Sequence, residues 1–396
     1  MEHLDSSNLS AQEPVKKRPA KLFHKKSRTG CQRCRARRVK CDEAKPICSH
    51  CTRLELACIY DRAKSPSDSK RSSPSASNEA EVIADPPESE ARRKLELRLF
   101  HHFMSEAGPS LAVDDISYNF WVPILTKKAL ESNSLLYALC MVSALHSALF
   151  SENTDEEAAD TCRMYLNMAI REHHKDVAEM SRENIDYICL TSSMLRLYGY
   201  VRLQERSLQP YTPPIDWLRM LGSSTSVFRR AWDIVDKDPE SVAFNMINTV
   251  ADYLDDNENE EFRRDLMHLM SREEPHELEE SWDDEIEAGY AGALGLIGGI
   301  WKSMQKRDPA GSVGRRVIVF PMLVHKRFAD LVVEQRPRAL VILAHYFALL
   351  SMLRSMWWIG DAGSREVRAI VDAVPPEWQG HLSWPKQILD GQIVFG

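Results

Sequence analysis

CQRCRARRVKCDEAKPICSHCTRLELAC, residues 31–58, holds six of the nine cysteines in the 396-residue chain. Cys31–Cys34 and Cys48–Cys51 are two C-x2-C loops, each followed after six intervening residues by another cysteine, Cys41 and Cys58. The half-site C-x2-C-x6-C is thus repeated at an offset of 17 residues. Zinc takes tetrahedral thiolate coordination at about 2.3 Å, and a C-x2-C loop lets two sulfurs reach one ion. Two such ions need eight ligand positions where six thiolates are present, so two sulfurs must bridge. The duplication makes one from each half, Cys31 and Cys48, the natural pair. Three alternatives compete. A disulfide framework suits a small secreted domain, but the start MEHLDSSNLS shows no apolar signal segment and the surroundings are strongly basic. A ribbon built on Cys31, Cys34, Cys48 and Cys51 strands Cys41 and Cys58 in equivalent places. Chance spacing is the third.

These residues carry a resemblance. All six cysteines, the basic run Arg35-Ala36-Arg37-Arg38-Val39-Lys40 and Pro46 between the halves resemble the fungal zinc binuclear cluster (Zn2Cys6) DNA-binding domain. The resemblance implies two zinc ions per chain, a short helix and a strand-like segment in each half, and bridging by the first and fourth cysteines. A helix starting near Gln32 would carry Arg33, Arg35, Arg37, Arg38 and Lys40 in a little over two turns with almost no apolar face. Such side chains suit phosphates and guanine edges. By position, Arg38 and Arg37 match the family's base readers in the major groove, with Arg35, Lys40 and Arg53 on phosphates. Many relatives have Lys where Arg38 stands.

The net charge of −7 hides a division: residues 1–64 carry 16 Lys+Arg against 7 Asp+Glu, and residues 65–396 carry 35 against 51. A basic head on an acidic body implies that the head alone meets double-stranded DNA. Residues 1–27, with Lys16-Lys17-Arg18, Lys21 and Lys25-Lys26, read as a nuclear import signal and basic arm rather than a merely solvated end. Residues 28–61 form the metal domain. Residues 62–90, rich in Ser, Pro and charge, read as a flexible linker, with Ser65-Pro66 and Ser73-Pro74 as phosphorylation candidates. Leu95, Leu99 and Phe103 make one short stripe that Gly108-Pro109 should end. A dimerising coiled coil needs three or more heptads, so a homodimer would form through the body.

From residue 91 to 396 the apolar positions recur at helical spacing, as in Leu135, Leu139, Val142, Leu145 and Leu149. The expected fold is a small cluster domain of two short helices around two zincs, followed by a large all-α regulatory domain. Arg316–Phe320 (RVIVF) is the main strand-like run. Leu95–Phe103, Leu135–Leu149, Pro337–Ile359 and Ser383-Trp384-Pro385, together with Cys34–Glu43 (CRARRVKCDE), resemble the sterol-uptake-control branch of these regulators. That implies a helical domain that dimerises and, in sterol-sensing members, holds a hydrophobic ligand.

Residues 339–350 (ALVILAHYFALL) are too short for the roughly 20 apolar residues of a membrane span and read as a core helix, with no membrane partner. The sharper reading is a lipid-like pocket walled by Tyr346, Phe347, Met352, Trp357 and Trp358. The run Gly289–Gly299 lacks a following Gly-Lys-Ser/Thr and reads as small residues for close helix packing, not a phosphate loop. The acidic stretches 255–261 and 273–287 share the mixture of activation segments, although a solvated helix face or loop is the plainer account. Cys140, Cys162 and Cys189 read as buried thiols, and His173-His174 as surface residues. Neither H-E-x-x-H nor G-x-S-x-G occurs, so nothing argues for an enzyme. The reading is a sequence-specific regulator of transcription, of the RNA polymerase II type, acting in the nucleus with the transcription machinery as partner. It would activate a metabolic or secondary-metabolite gene cluster. The alternative is a regulator of sterol or other lipid response whose main output is protein interaction.

Overall fold

In a computed structural model the chain divides into two units, Met1–Val82 and Ile83–Gly396. The described residues are 30–37, 39–54, 56, 58–60, 88–150, 156–235, 238–251, 253 and 260–393. The basic arm, Arg38, the linker up to residue 87 and the acidic residues 255–259 lie outside them.

Sulfur rather than hydrocarbon fills the first unit. Helices α1 (Gln32–Ala36) and α2 (Ser49–Arg53) are capped by Cys31 and Cys48, whose sulfurs accept the N–H of Cys34 and Cys51. The halves repeat the same bonds at the offset seen in the sequence. Cys34 and Cys51 donate to Cys31 and Cys48 Sγ, each at 3.4 Å. Cys31 and Cys48 donate to Cys41 and Cys58 Sγ at 3.4 and 3.3 Å. Val39 and Leu56 donate to the carbonyls of Cys34 and Cys51, each at 3.0 Å. That last bond closes each helix and turns the chain back toward the cage. Helix α1 therefore spans 5 residues instead of the two turns expected; Arg37 caps it and Lys40 lies beyond. Among the described residues neither half contains a strand; the connecting segments are irregular.

Among its described residues the second unit consists of helices joined by turns and irregular segments, with no strand. Its helices are α3 (Glu90–His102), α4 (Gly108–Leu111), α5 (Asp115–Asn119), α6 (Leu125–Ala129), α7 (Asn133–Phe150), α8 (Glu156–Ala178), α9 (Ile185–Glu205) and α10 (Ile215–Val235). They continue as α11 (Val242–Ala251), α12 (Glu260–Arg263), α13 (Pro275–Leu278), α14 (Asp284–Gln305), α15 (Ala310–Leu323), α16 (Lys326–Val333), α17 (Pro337–Ser351), α18 (Ala362–Ala373) and α19 (Ser383–Leu389). Pro337 opens α17 where no N–H is needed, and every residue from Arg338 to Ser351 is buried. A helix apolar on all sides belongs at the centre, and α14, α16, α18 and α19 pack around it. Helix α7 is long and apolar enough to cross a bilayer, yet it lies among α3, α6, α8 and α9 with most of its side chains buried.

Three local expectations are corrected. Residues 316–320 lie inside α15, where Val317, Val319 and Phe320 are buried against neighbouring helices; tertiary packing overrides their β preference. Gly108-Pro109 does not end the first body helix, because a π-turn over Phe103–Ala107 carries the chain on into α4. Widening that turn relieves the clash a proline makes with the preceding turn. The Leu95–Leu99–Phe103 stripe accordingly joins the main core, tied down by Ser143 Oγ donating to Leu99 O at 2.7 Å.

Candidate metal centre and nucleic-acid interface

The sulfurs of Cys31, Cys34, Cys41 and Cys48 lie within 4.8 Å of one another, and so do those of Cys31, Cys48, Cys51 and Cys58. The two quartets share Cys31 and Cys48, the pair singled out by the duplication. Cys31–Cys48, Cys31–Cys51 and Cys34–Cys48 are separated by 3.8, 3.7 and 3.7 Å between sulfurs. A tetrahedron with metal–sulfur bonds of 2.3 Å has edges of about 3.8 Å, so the cage fits two zinc–thiolate tetrahedra sharing one edge. A disulfide would need about 2.05 Å, and all these cysteines are free.

The N–H of Cys34 holds the Cys31 thiol below its ordinary value, and the N–H of Cys51 does the same for Cys48. Burial pushes Cys51 up to about 12. Cys41 is lowered too, the burial that raises it being outweighed by the Cys31 N–H and the Tyr60 hydroxyl. Asp42 accepts the Ser49 N–H at 3.1 Å and also the Ser49 hydroxyl, which satisfies the first turn of α2. Tyr60 donates to Ala44 O at 3.0 Å and lies 3.6 Å from Cys41 Sγ, while Lys45 sits over its ring. Tyr60 thus fastens the loop between the halves, a role no spacing rule announces.

The two halves match in backbone and differ in charge. Arg33, Arg35, Arg37 and Lys40 are exposed on the first half. Seventeen residues on from Arg33, Arg35 and Arg37 stand His50, Thr52 and Leu54. Arg33 and Arg37 are one turn apart and share a side of α1, while Arg35 faces away from them. Arg53 is exposed on α2. Arg38, the residue placed first for base reading, lies outside the described residues.

Residues 29–67 match the fungal Zn(2)-Cys(6) binuclear cluster domain and residues 98–198 the fungal specific transcription factor domain. A Zn(2)-C6 fungal-type transcription factor of Aspergillus fumigatus is 33% identical over 84% of this chain and 87% of its own length. The chain belongs to the Zn(2)-C6 fungal-type transcription factors. The cluster of this zinc factor binds two zinc ions, and the quartets Cys31, Cys34, Cys41, Cys48 and Cys31, Cys48, Cys51, Cys58 could each hold one. Zinc supplies the fixed tetrahedral angles that a segment this short cannot obtain from an apolar core. Sterol uptake control protein 2 of Candida albicans is 44% identical over 15% of this chain and 9% of its own length. A transcriptional activator protein of Saccharomyces cerevisiae is 23% identical over 45% of this chain and 41% of its own length.

In the body of this zinc-cluster factor, Tyr346 and Phe347 are fully buried in the core, with Phe320 stacked on Tyr346 at 4.1 Å. Met352 is half-buried. Trp357 packs edge-on against His146 and donates to Ser110 Oγ at 2.9 Å. Of these five residues Trp358 lines a cavity of about 400 Å³, whose other walls include α9, α11, α15 and the segment 111–124. Cys140, Cys162 and Cys189 are buried thiols, as expected. His173 is not a surface residue: it is buried and its Nε2 meets Ser192 Oγ at 3.0 Å, because α8 lays that face on α9; His174 is exposed. Nor is the stretch 273–287 merely solvated. Glu277 is buried and accepts the N–H of Glu273 and Glu274, and Glu280 meets the buried Arg338 at 2.7 Å. Trp282 lies under the guanidinium groups of Arg272 and Arg338.

Proposed function

We propose that this zinc-cluster factor is a nuclear activator of a metabolic pathway, most concretely one biosynthetic gene cluster, that reads a short G/C-containing site. The end of α1 enters the major groove, with Arg38 and Arg37 at base edges and Arg35, Lys40 and Arg53 on phosphates. The helical body dimerises and contacts the transcription machinery; it is not an enzyme. The observation that carries this reading is the cationic face on one half of a duplicated sulfur cage, since a helix with nothing apolar to bury is built to meet an anion. The activator named among the relatives supports the direction of control.

Genome-wide mapping of bound sites gives the cognate DNA, on which Arg38→Ala and Lys40→Ala are then titrated beside random DNA. Arg38→Ala should lose about 1–3 kcal/mol on the cognate site only, and Lys40→Ala should weaken both DNAs alike and flatten the salt dependence. Equal loss on both DNAs for Arg38→Ala would refute its role. A second reading, a body that responds to a lipid-like effector, is favoured by the 400 Å³ cavity beside Trp358.

A further inference from the structure

Two arginines drawn into the body find carboxylates. Arg338, 1% exposed, meets Glu280 at 2.7 Å. Arg206 meets the buried Glu366 at 2.5 Å. Arg196, on α9 and 9% exposed, has no carboxylate partner among the described residues. Its Nη2 donates to Ser193 Oγ at 2.6 Å, its guanidinium lies 5.1 Å from the Phe228 ring centroid, and its Nε and Nη1 have no hydrogen-bond partner among the described residues. The groups that sense its charge are Tyr200 and Cys189, both held neutral by burial. Burial also lowers Arg196 itself, to about 10, which leaves it cationic near pH 7. A buried charge is strongly unfavourable without a counter-charge, so Arg196 favours an anion beside it.

Arg196 is also a wall of the 400 Å³ cavity, a volume within the range of small-molecule sites, about 300–1,000 Å³. Trp121, Leu197, Ile318, Met356 and Trp358 make much of the remaining surface apolar. Ser193, Leu197 and Tyr200 join Arg196 on one face of α9, at the helical spacing that points them together into the cavity. We infer that the body binds an apolar small molecule bearing a carboxylate, its hydrocarbon part filling the cavity and its carboxylate paired with the charge of Arg196 on the cavity wall. This rests on the lipid-effector reading and narrows it from neutral lipids to organic acids.

The full-length, zinc-loaded protein is titrated with dodecanoate and, separately, with dodecanol, both below their aggregation limits, following tryptophan fluorescence from the cavity walls. Dodecanoate should bind at least about tenfold more tightly than the alcohol, as one charge-assisted hydrogen bond requires. Arg196→Gln should abolish that preference, and Arg196→Lys should keep part of it. Equal binding of acid and alcohol would overturn the Arg196 anchor while leaving the lipid reading standing, and no binding of either would overturn both. The acid–alcohol comparison needs no variant, so it decides the matter even if Arg196→Gln does not fold.

Discussion

Cys31 and Cys48 each belong to both sulfur quartets, whereas Cys58 belongs to one. Cys31→Ala should therefore release both zinc ions and abolish DNA binding, while Cys58→Ala should leave one ion per chain; elemental analysis of purified protein checks both. In the body the most exacting single residue is Glu280, which faces a guanidinium that is 1% exposed. Removing one partner of a buried pair leaves the other uncompensated. Glu280→Ala should cost about 3–5 kcal/mol, read as a lowered urea midpoint. The clustering of the six sulfurs was legible in the sequence because all six lie within 28 residues, where chain geometry limits which sulfurs can meet. Glu280 and Arg338 are 58 residues apart, and no local pattern marks them as partners. The same distance problem hid the unpaired state of Arg196: a missing neighbour leaves no trace in the sequence around it.

At the scale of elements, the glycine run in α14 shows how close helices are allowed to come. A Cβ on Gly298 would stand 1.9 Å from the carbonyl oxygen of Phe262. Helix propensity alone favours alanine over glycine by about 1 kcal/mol, but forcing volume into this contact costs about 1–3 kcal/mol. Gly298→Ala should therefore lower the melting temperature, and Gly298→Val should lower it further. A rise with alanine would mean that propensity outweighs packing at this contact. Close packing as the purpose of these glycines was readable from their small size in an apolar run; the partner, Phe262, was not. Residues 316–320 show the reverse. Their β-branched pattern reads as a strand, and only neighbours brought in from distant parts of the chain make them helical. In the first unit, the bond from Val39 N–H to Cys34 O shortens α1, a limit set by returning Cys41 to the cage rather than by any residue's helix preference.

The whole molecule carries two cores of different chemistry, and they answer to different tests. All nine tryptophans lie after residue 90, so their fluorescence reports the body alone. Burial lowers both His345 and His173 from the usual histidine value to about 4. Nearby His268 and His381 repel a proton on His345 further, as His174 does for His173. Between about pH 6.5 and 4 the unfolded chain binds more protons than the folded one, so the stability these groups contribute is complete above that window and lost as pH falls through it. His345 should account for a loss on the order of 2 kcal/mol by pH 5. Urea midpoints at pH 7.5 and pH 5 measure it, and His345→Gln should narrow the difference.

The cysteine spacing by itself pointed to a two-zinc cage whose two sulfur quartets share Cys31 and Cys48, because metal coordination is satisfied by ligands near one another in the chain. Apolar periodicity likewise determined that the rest is helical. The tertiary structure alone decided which buried charges are paired, which histidine is interior, and that the cavity opens beside Trp358 and Arg196 rather than around Tyr346 and Phe347. Those are properties of side chains brought together from far apart, and burial and hydrogen bonding there depend on what arrives from the other elements.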